Sequence, residues 1–320
     1  MRFPIVKNRK FYYSISIVLS IGSLISVIVF GLNLSLHFTG GIQNSYVFNG
    51  TRPGLEEMKT YIIEQNKKFN ETATSKIDIG TPVLVNSGEK GMDIKYRIVQ
   101  NPSDDVRKAY NEFNGKLKEA IETKYQAKEQ STSTISPSVG DALKTQAVWA
   151  VFFAIIGIVL YIIFAFRFLP KPYNPMVFGM STVLALFHDV FILLGIFVVL
   201  GYTMHIEIGP YFITAILTIL GYSVNDSIVV LDRVRENMIT HKGRMNVEDA
   251  VEESIWQTMS RSINTVMTVL IMLAALLFFG AEDTKMFVLA LFLGVLVGAY
   301  SSIFLASPLL VTFKKYLIRK

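Results

Sequence analysis

The stretch Gly221-Tyr222-Ser223-Val224-Asn225-Asp226-Ser227-Ile228-Val229-Val230-Leu231-Asp232-Arg233-Val234-Arg235-Glu236-Asn237 decides how this chain is read. Its first half closes an apolar run that starts near Gly209 and is long enough to cross a bilayer, and Asp226 sits inside that run. An Asp at the centre of a membrane helix costs about 2.5–3.5 kcal/mol, so such a carboxylate has a partner, a water-filled cavity or a task. Asn225 beside it, and Tyr222 and Ser223 about one turn earlier, supply the hydrogen bonding a buried acid needs. The plainer alternative is a polar contact between helices.

Working outward, the chain has 320 residues, 51% of them hydrophobic, with several apolar runs of membrane-spanning length, which makes it an integral membrane protein. It has no cysteine, so disulfide frameworks and thiolate metal sites are excluded. His37 and His188 lack metal-ligand spacing, and no metal or other cofactor is expected. No nucleophile–base pair or phosphate-binding glycine loop appears, which argues against an enzyme.

Six spans are expected. The first follows the basic segment Met1 to Lys10 and occupies the region up to residue 38; the others run at 144–166, 176–200, 209–231, 262–280 and 286–313. The first run is too long for a signal h-region and has no small-residue cleavage site after it, so it reads as an uncleaved span. Arg167 and Lys171, then Arg233, Arg235, Lys242, Arg244 and Arg261, then Lys314, Lys315, Arg319 and Lys320 crowd alternate connections and the end of the chain. Positive charge marks the cytoplasmic side, so both termini are expected inside, and the net charge of +6 is a topology signal with no need for a nucleic-acid partner.

Residues 39–142 have the composition of a soluble domain, expected outside the membrane. Gln43 to Asn49 reads as a strand and Pro53 to Phe69 as a helix with Leu55, Met58, Ile62 and Ile63 on one stripe. Lys76 to Asn86 and Met92 to Gln100 read as a hairpin around Ser87-Gly88-Glu89-Lys90-Gly91. Asp104 to Lys128 reads as a helix with Val106, Tyr110, Phe113, Leu117 and Ile121 inward, and Ser131 to Val139 as a last strand. The order β-α-β-β-α-β predicts an α+β ferredoxin-like domain, inserted into a six-helix polytopic membrane protein. The remainder, 143–320, would be a five-helix bundle. Its connection 232–261 carries a turn at His241-Lys242-Gly243, a helix cap at Asn246 and an apolar stripe, which suit a helix lying on the membrane surface or packing on a partner.

Depth brings two charges level. Asp226 lies roughly 26 Å below the outer end of its span, and Arg261 roughly 28 Å below that of the next, at 1.5 Å per residue. Asn264, Thr265 and Thr268 share a face with Arg261. A guanidinium beside a carboxylate favours its charged form and burial favours its neutral form, so a moving Arg would switch the acid between holding and releasing a proton. A static ion pair, or an Arg snorkelling to the headgroups, is the alternative. Asp189, after His188, sits near the middle of the third span and reads either as a second relay position or as an interhelical hydrogen bond. Gly294 and Gly298 are spaced either for a close helix contact or as ordinary small residues of a bundle.

The run Gly221 to Asn237 resembles the signature of the SecF family, the smaller member of the SecD/SecF pair that assists protein export. Gly31-Leu32-Asn33-Leu34 with Phe38-Thr39-Gly40-Gly41, Pro137-Ser138-Val139-Gly140, Arg261-Ser262-Ile263-Asn264-Thr265, Gly298-Ala299-Tyr300-Ser301-Ser302-Ile303-Phe304 and Ala306-Ser307-Pro308 are similar to that family's other motifs. The resemblance implies a resistance-nodulation-division fold. It also implies a separate subunit that pairs with SecD beside the SecYEG channel, with YajC as a further partner, and uses the proton gradient to pull a preprotein on the outer side of the bacterial cell membrane. The family's acid and arginine carry over onto Asp226 and Arg261, with Asn225, Asn264, Thr265 and Asp189 as further relay candidates. Thr39, Gly40, Gly41 and Gly140 are the expected hinges. His37 stands where the family usually has an Asp. Two alternatives are an efflux-type exporter of a lipid or small molecule with the same architecture, and a scaffold that conducts no protons.

Overall fold

The computed structural model describes residues 3–99, 102–167, 174–241, 245–281 and 284–314. Arg2, Lys171, Lys242, Arg244, Lys315, Arg319 and Lys320, Gln100 at the end of an expected strand, and Lys242-Gly243 of the expected turn lie outside the described residues. The chain divides into two compact units, Leu34–Ala147 and Met1–Asn33 with Val148–Lys320.

The first unit holds a short helix α2 (Leu36–Thr39), then β1 (Gly41–Phe48), α3 (Leu55–Thr72), β2 (Val83–Ser87), β3 (Gly91–Tyr96), α4 (Asp104–Tyr125) and β4 (Ala127–Ile135). The strands form one antiparallel sheet in the order β2-β3-β1-β4. Period-two alternation turns Ile42, Tyr46 and Phe48 of β1 and Met92, Ile94 and Tyr96 of β3 into one core. There they meet Met58, Ile62 and Phe69 of α3 and Tyr110, Phe113, Leu117 and Ile121 of α4. Leu55, expected on that stripe, is exposed in the first turn of α3.

Two boundaries differ from expectation for backbone reasons. Strand β2 starts at Val83 because Gly80 takes a left-handed φ of 60° and Pro82 has no N–H to give a ladder; Ile77 and Ile79 are buried all the same. Strand β4 starts at Ala127 because Gln126, at φ 48°, ends α4 and turns the chain directly into the sheet.

Asn44 lies fully buried in the middle of β1, and its Nδ2 donates to Asn114 Oδ1 at 2.6 Å. Tyr96 donates its hydroxyl to the same oxygen at 2.7 Å, and burial pushes that phenol far above its usual range, so it stays a donor. Asn114→Leu leaves both donors without an acceptor. The expected loss is about 2–4 kcal/mol in denaturant unfolding followed by the tyrosine signal. A loss under about 1 kcal/mol would mean that water replaces the amide.

The second unit contains α1 (Arg9–Phe30), the greater part of α5 (Pro137–Ala165), α6 (Pro175–Met204), α7 (Pro210–Thr240), α8 (Val247–Phe279) and a last span, Lys285–Thr312. These are six helices, among the described residues, long and apolar enough to cross a membrane, so the chain is a multi-pass membrane protein. The last span is α9 (Lys285–Ser301), a π-helical turn (Ser302–Ala306) and α10 (Ser307–Thr312). Pro308 cannot donate to the carbonyl one turn back, and the wider turn before it absorbs the mismatch, with Ser307 Oγ donating to Ser302 O at 3.0 Å.

Prolines at the first helical positions of α6 and α7 start both helices, as their fixed φ favours. The expected surface helix and fifth span are one helix, α8, about 50 Å long, because nothing from Val247 to Phe279 is Gly or Pro. Asn246 occupies the cap position of α8, but its Oδ1 accepts from Lys314 Nζ at 2.9 Å and caps no backbone N–H. Helices α6, α7 and the last span form the interior, where Gly294 lies against Ile219 and Gly298 against Ser223. The pair thus marks a close helix contact, and a Cβ at Gly294 would run into the Ile219 side chain.

Candidate functional site

Helix α7 presents Ser223, Asp226 and Ser227 to the interior and leaves Asn225 exposed. Asp226 is 7% exposed, and its Oδ2 is buried with no hydrogen-bond partner, as are Tyr222 Oη one turn earlier and Ser227 Oγ beside it. A buried polar oxygen without a partner is costly, so this site is built for something other than stability.

Asp189 on α6 is 1% exposed, and it has partners from three helices. Its Oδ2 accepts from Ser223 Oγ of α7 at 2.6 Å and from Ser301 Oγ of α9 at 2.7 Å, while His188 Nδ1 lies 3.0 Å from its Oδ1. The interior therefore holds two carboxylates in opposite situations, one fully hydrogen-bonded and one with an empty oxygen. Ser301 belongs to the quoted stretch Gly298 to Phe304 but not to the expected site residues; the hydroxyl pair Ser301-Ser302 inside a mostly apolar span is the signal that points to it.

Helix α8 carries Arg261, Asn264, Thr265 and Thr268 on an exposed face. Thr265 Oγ1 donates to Arg261 O and Thr268 Oγ1 to Thr265 O, both at 2.9 Å, so those hydroxyls are satisfied within their own helix. Among the described residues no ion pair joins Arg261 to Asp226. The rotation of α8 is set by Val266, Leu270 and Leu273, which pack on Val288 and Val295 of α9 and turn the polar stripe away.

Two connections off the expected site tie α8 to its surroundings. Asn237 Nδ2, at the end of the opening stretch, donates to Ser254 Oγ at 2.8 Å and Gln257 Oε1 at 2.9 Å, joining α7 to α8. Glu252 accepts from the backbone N–H of Ile5 at 2.9 Å, of Val6 at 2.7 Å, and from Trp256 Nε1 at 2.9 Å. Arg9 reaches Glu248 at 3.8 Å alongside.

In the Leu34–Ala147 unit, Gly40 takes φ 72° and a Cβ there would lie 2.6 Å from Pro137 Cα; a Cβ on Gly140 would lie 3.0 Å from Gly40 N. The end of α2 and the start of α5 meet there in backbone contact, with Thr39 and Gly41 beside them and His37 exposed. Gly40→Ala combines strain at positive φ with a clash against backbone, and is expected to cost about 1–3 kcal/mol in denaturant unfolding. An unchanged midpoint would show that the contact opens without resistance. Among the described residues, no group of three or more His, Asp or Glu is placed to hold a metal ion.

The family described as Protein export membrane protein SecD/SecF, C-terminal, matches residues 116–316. The chain is 34% identical over 312 residues to Protein translocase subunit SecF of Thermobaculum terrenum, covering 97% of this chain and 93% of that one. It is 32% identical to Protein translocase subunit SecDF of Bacillus subtilis, covering 100% of this chain and 39% of that protein. The crystal structure of SecDF, a translocon-associated membrane protein from Thermus thermophilus, superposes with a TM-score of 0.80 at 30% identity, covering 98% of this chain and 39% of that one.

Proposed function

The chain belongs to the SecD/SecF family of protein-export membrane proteins, and from that premise we propose that it couples proton movement to export of preproteins. As a SecF-type subunit it serves an accessory role in protein export. Because it spans only 39% of the SecDF chains it matches, a SecD subunit supplies the rest of the working unit. Two features support that pairing. Helix α5 has few buried residues along its length, and α8 turns the Arg261 guanidinium and the Asn264 amide outward, groups that a protein partner accommodates better than lipid does. SecYEG, and YajC beside it, are the further partners that the resemblance implies.

In this reading both termini are cytoplasmic in the bacterial cell membrane. The Leu34–Ala147 unit is a ferredoxin-like domain on the outer side, a description its element order and its strand order β2-β3-β1-β4 support. Residues 1–38, 39–142 and 143–320 act as anchor, outer domain and bundle. Asp226 takes and releases the proton; Arg261, brought near it when α8 packs against SecD, favours the released form; Asn225, Asn264 and Thr265 line the contact. The change in charge shifts α7 and α8 and swings the outer domain about Thr39, Gly40, Gly41 and Gly140.

The observation that carries the reading is the buried carboxylate oxygen of Asp226 with no partner, in the middle of a membrane-spanning family signature. No observation favours the efflux alternative. The test is preprotein export by this chain with its SecD partner in vesicles, with and without a proton gradient, comparing wild type with Asp226→Asn. Equal stimulation of both by the gradient would sink the coupling role and leave a scaffold.

A further inference from the structure

We propose that His188 and Asp189 form a second proton-binding site inside the membrane unit, open to a groove between α1 and the last span and separate from Asp226. The site is built and not incidental. Asp189 Oδ2 is held by Ser223 and Ser301, which leaves Oδ1 facing His188 Nδ1. His188 is itself 8% exposed, and its other ring nitrogen, Nε2, is buried with no partner. A buried nitrogen left without a partner destabilises the fold unless it has a use.

His188 lines a groove of about 360 Å³ together with Tyr13, Ser16 and Ser20 of α1 and Leu305 and Leu309 of the last span. At roughly 30 Å³ per water the space is large enough for several, and the Tyr13, Ser16 and Ser20 hydroxyls are polar groups on its wall. The titratable groups facing His188 are Asp189 on its own helix, Tyr13 on α1 and Tyr300 on α9, whose ring stacks at 6.2 Å; α7 brings only the Ser223 hydroxyl to the carboxylate. The π-helical turn that follows Ser301 adds a feature that recurs at functional sites.

The proton step balances. With the imidazole neutral and protonated on Nδ1, a proton from groove water adds to Nε2 and gives the imidazolium. The Nδ1 proton stays shared with Asp189 Oδ1, 3.0 Å away, so the imidazolium is held as an ion pair with the carboxylate. One proton has entered and one negative charge has been neutralised. A purely structural Asp189 needs only the two serines, and gives no reason for a histidine beside it to bury an unpartnered nitrogen.

The purpose of such a site rests on the proton-coupling reading, but its existence is tested apart from it. The chain, paired with its SecD partner in lipid nanodiscs, is labelled at its histidine rings, and His188 is assigned by loss of its signal in His188→Gln. In the wild type the His188 ring is expected to pass between neutral and charged forms over about pH 5–8. In Asp189→Asn the charged fraction at a given pH within that window is expected to fall about tenfold, and in Asp226→Asn to stay as in wild type. A wild-type ring that keeps one neutral form throughout overturns the proposal, whatever the variants do; so does a titration that Asp189→Asn leaves unmoved. If His188 titrates but export ignores the gradient, this site stands and the coupling role falls. If export needs the gradient and Asp226 while His188 stays neutral, this site alone falls.

Discussion

Asp226→Asn is expected to reduce gradient-driven export to the rate seen without a gradient, while the chain still assembles with SecD. The substitution keeps the shape of the side chain, and Asp226 Oδ2 has no hydrogen bond to lose, so the packing of α7 has little reason to change. What disappears is the ability to take up and give back a proton. A proton crossing 100 mV releases about 2.3 kcal/mol, and one unit of pH difference adds about 1.4 kcal/mol. Together these bias a two-state equilibrium roughly 500-fold, ample to drive a domain swing. The ratio of export with gradient to export without it should therefore fall to about one in the variant. A variant that assembles and retains the wild-type ratio moves the coupling to Asp189, to the partner, or out of the mechanism.

Glu252→Ala is expected to free the segment before α1. One carboxylate accepts the backbone N–H groups of Ile5 and Val6, residues only 2% and 3% exposed, and the indole N–H of Trp256. Bonds to a charged acceptor are worth about 1.5–3 kcal/mol each, and the donors here stay partly buried when the acceptor goes. We expect the hold on the segment to weaken by about 3 kcal/mol, read as roughly 100-fold faster hydrogen exchange at the Ile5 and Val6 amides. Glu252→Gln keeps one oxygen and should fall between. Unchanged exchange in Glu252→Ala would show that Ile5 and Val6 are held by apolar contact alone. Because α8 carries Arg261 further along the same unbroken helix, the clasp also links the start of the chain to the proposed partner-facing stripe.

Features read from runs and periods were legible before the fold was known. Apolar length reports six spans because a helix must be long enough to satisfy its backbone across the hydrocarbon, a requirement local to each segment. The alternation of β1 and the stripe of Tyr110, Phe113, Leu117 and Ile121 on α4 likewise report which faces turn inward. Boundaries were less legible, since Gly80, Pro82 and Gln126 stop or start elements through single dihedrals that a run of β-branched or charged residues does not reveal.

Rotation about a helix axis is a different kind of information. Asp189 and Asp226 are each one carboxylate in an apolar span, and nothing in either span distinguishes the acid that three helices satisfy from the acid left with an empty oxygen. The difference comes from Ser301, more than a hundred residues away from Asp189, and from the close approach of α9 to α7 at Gly294 and Gly298. Arg261 shares a face with Asn264 and Thr265 by spacing alone, but whether that face meets Asp226 is settled by where Val266, Leu270 and Leu273 find their apolar partners. The sequence by itself determined how many elements there are and which side of each is apolar, because those follow from local hydrophobicity and helical or strand period. Only the tertiary structure decided which polar groups meet, because that depends on the packing of helices against one another, where a turn of about 100° per residue separates a partner from a neighbour that points away.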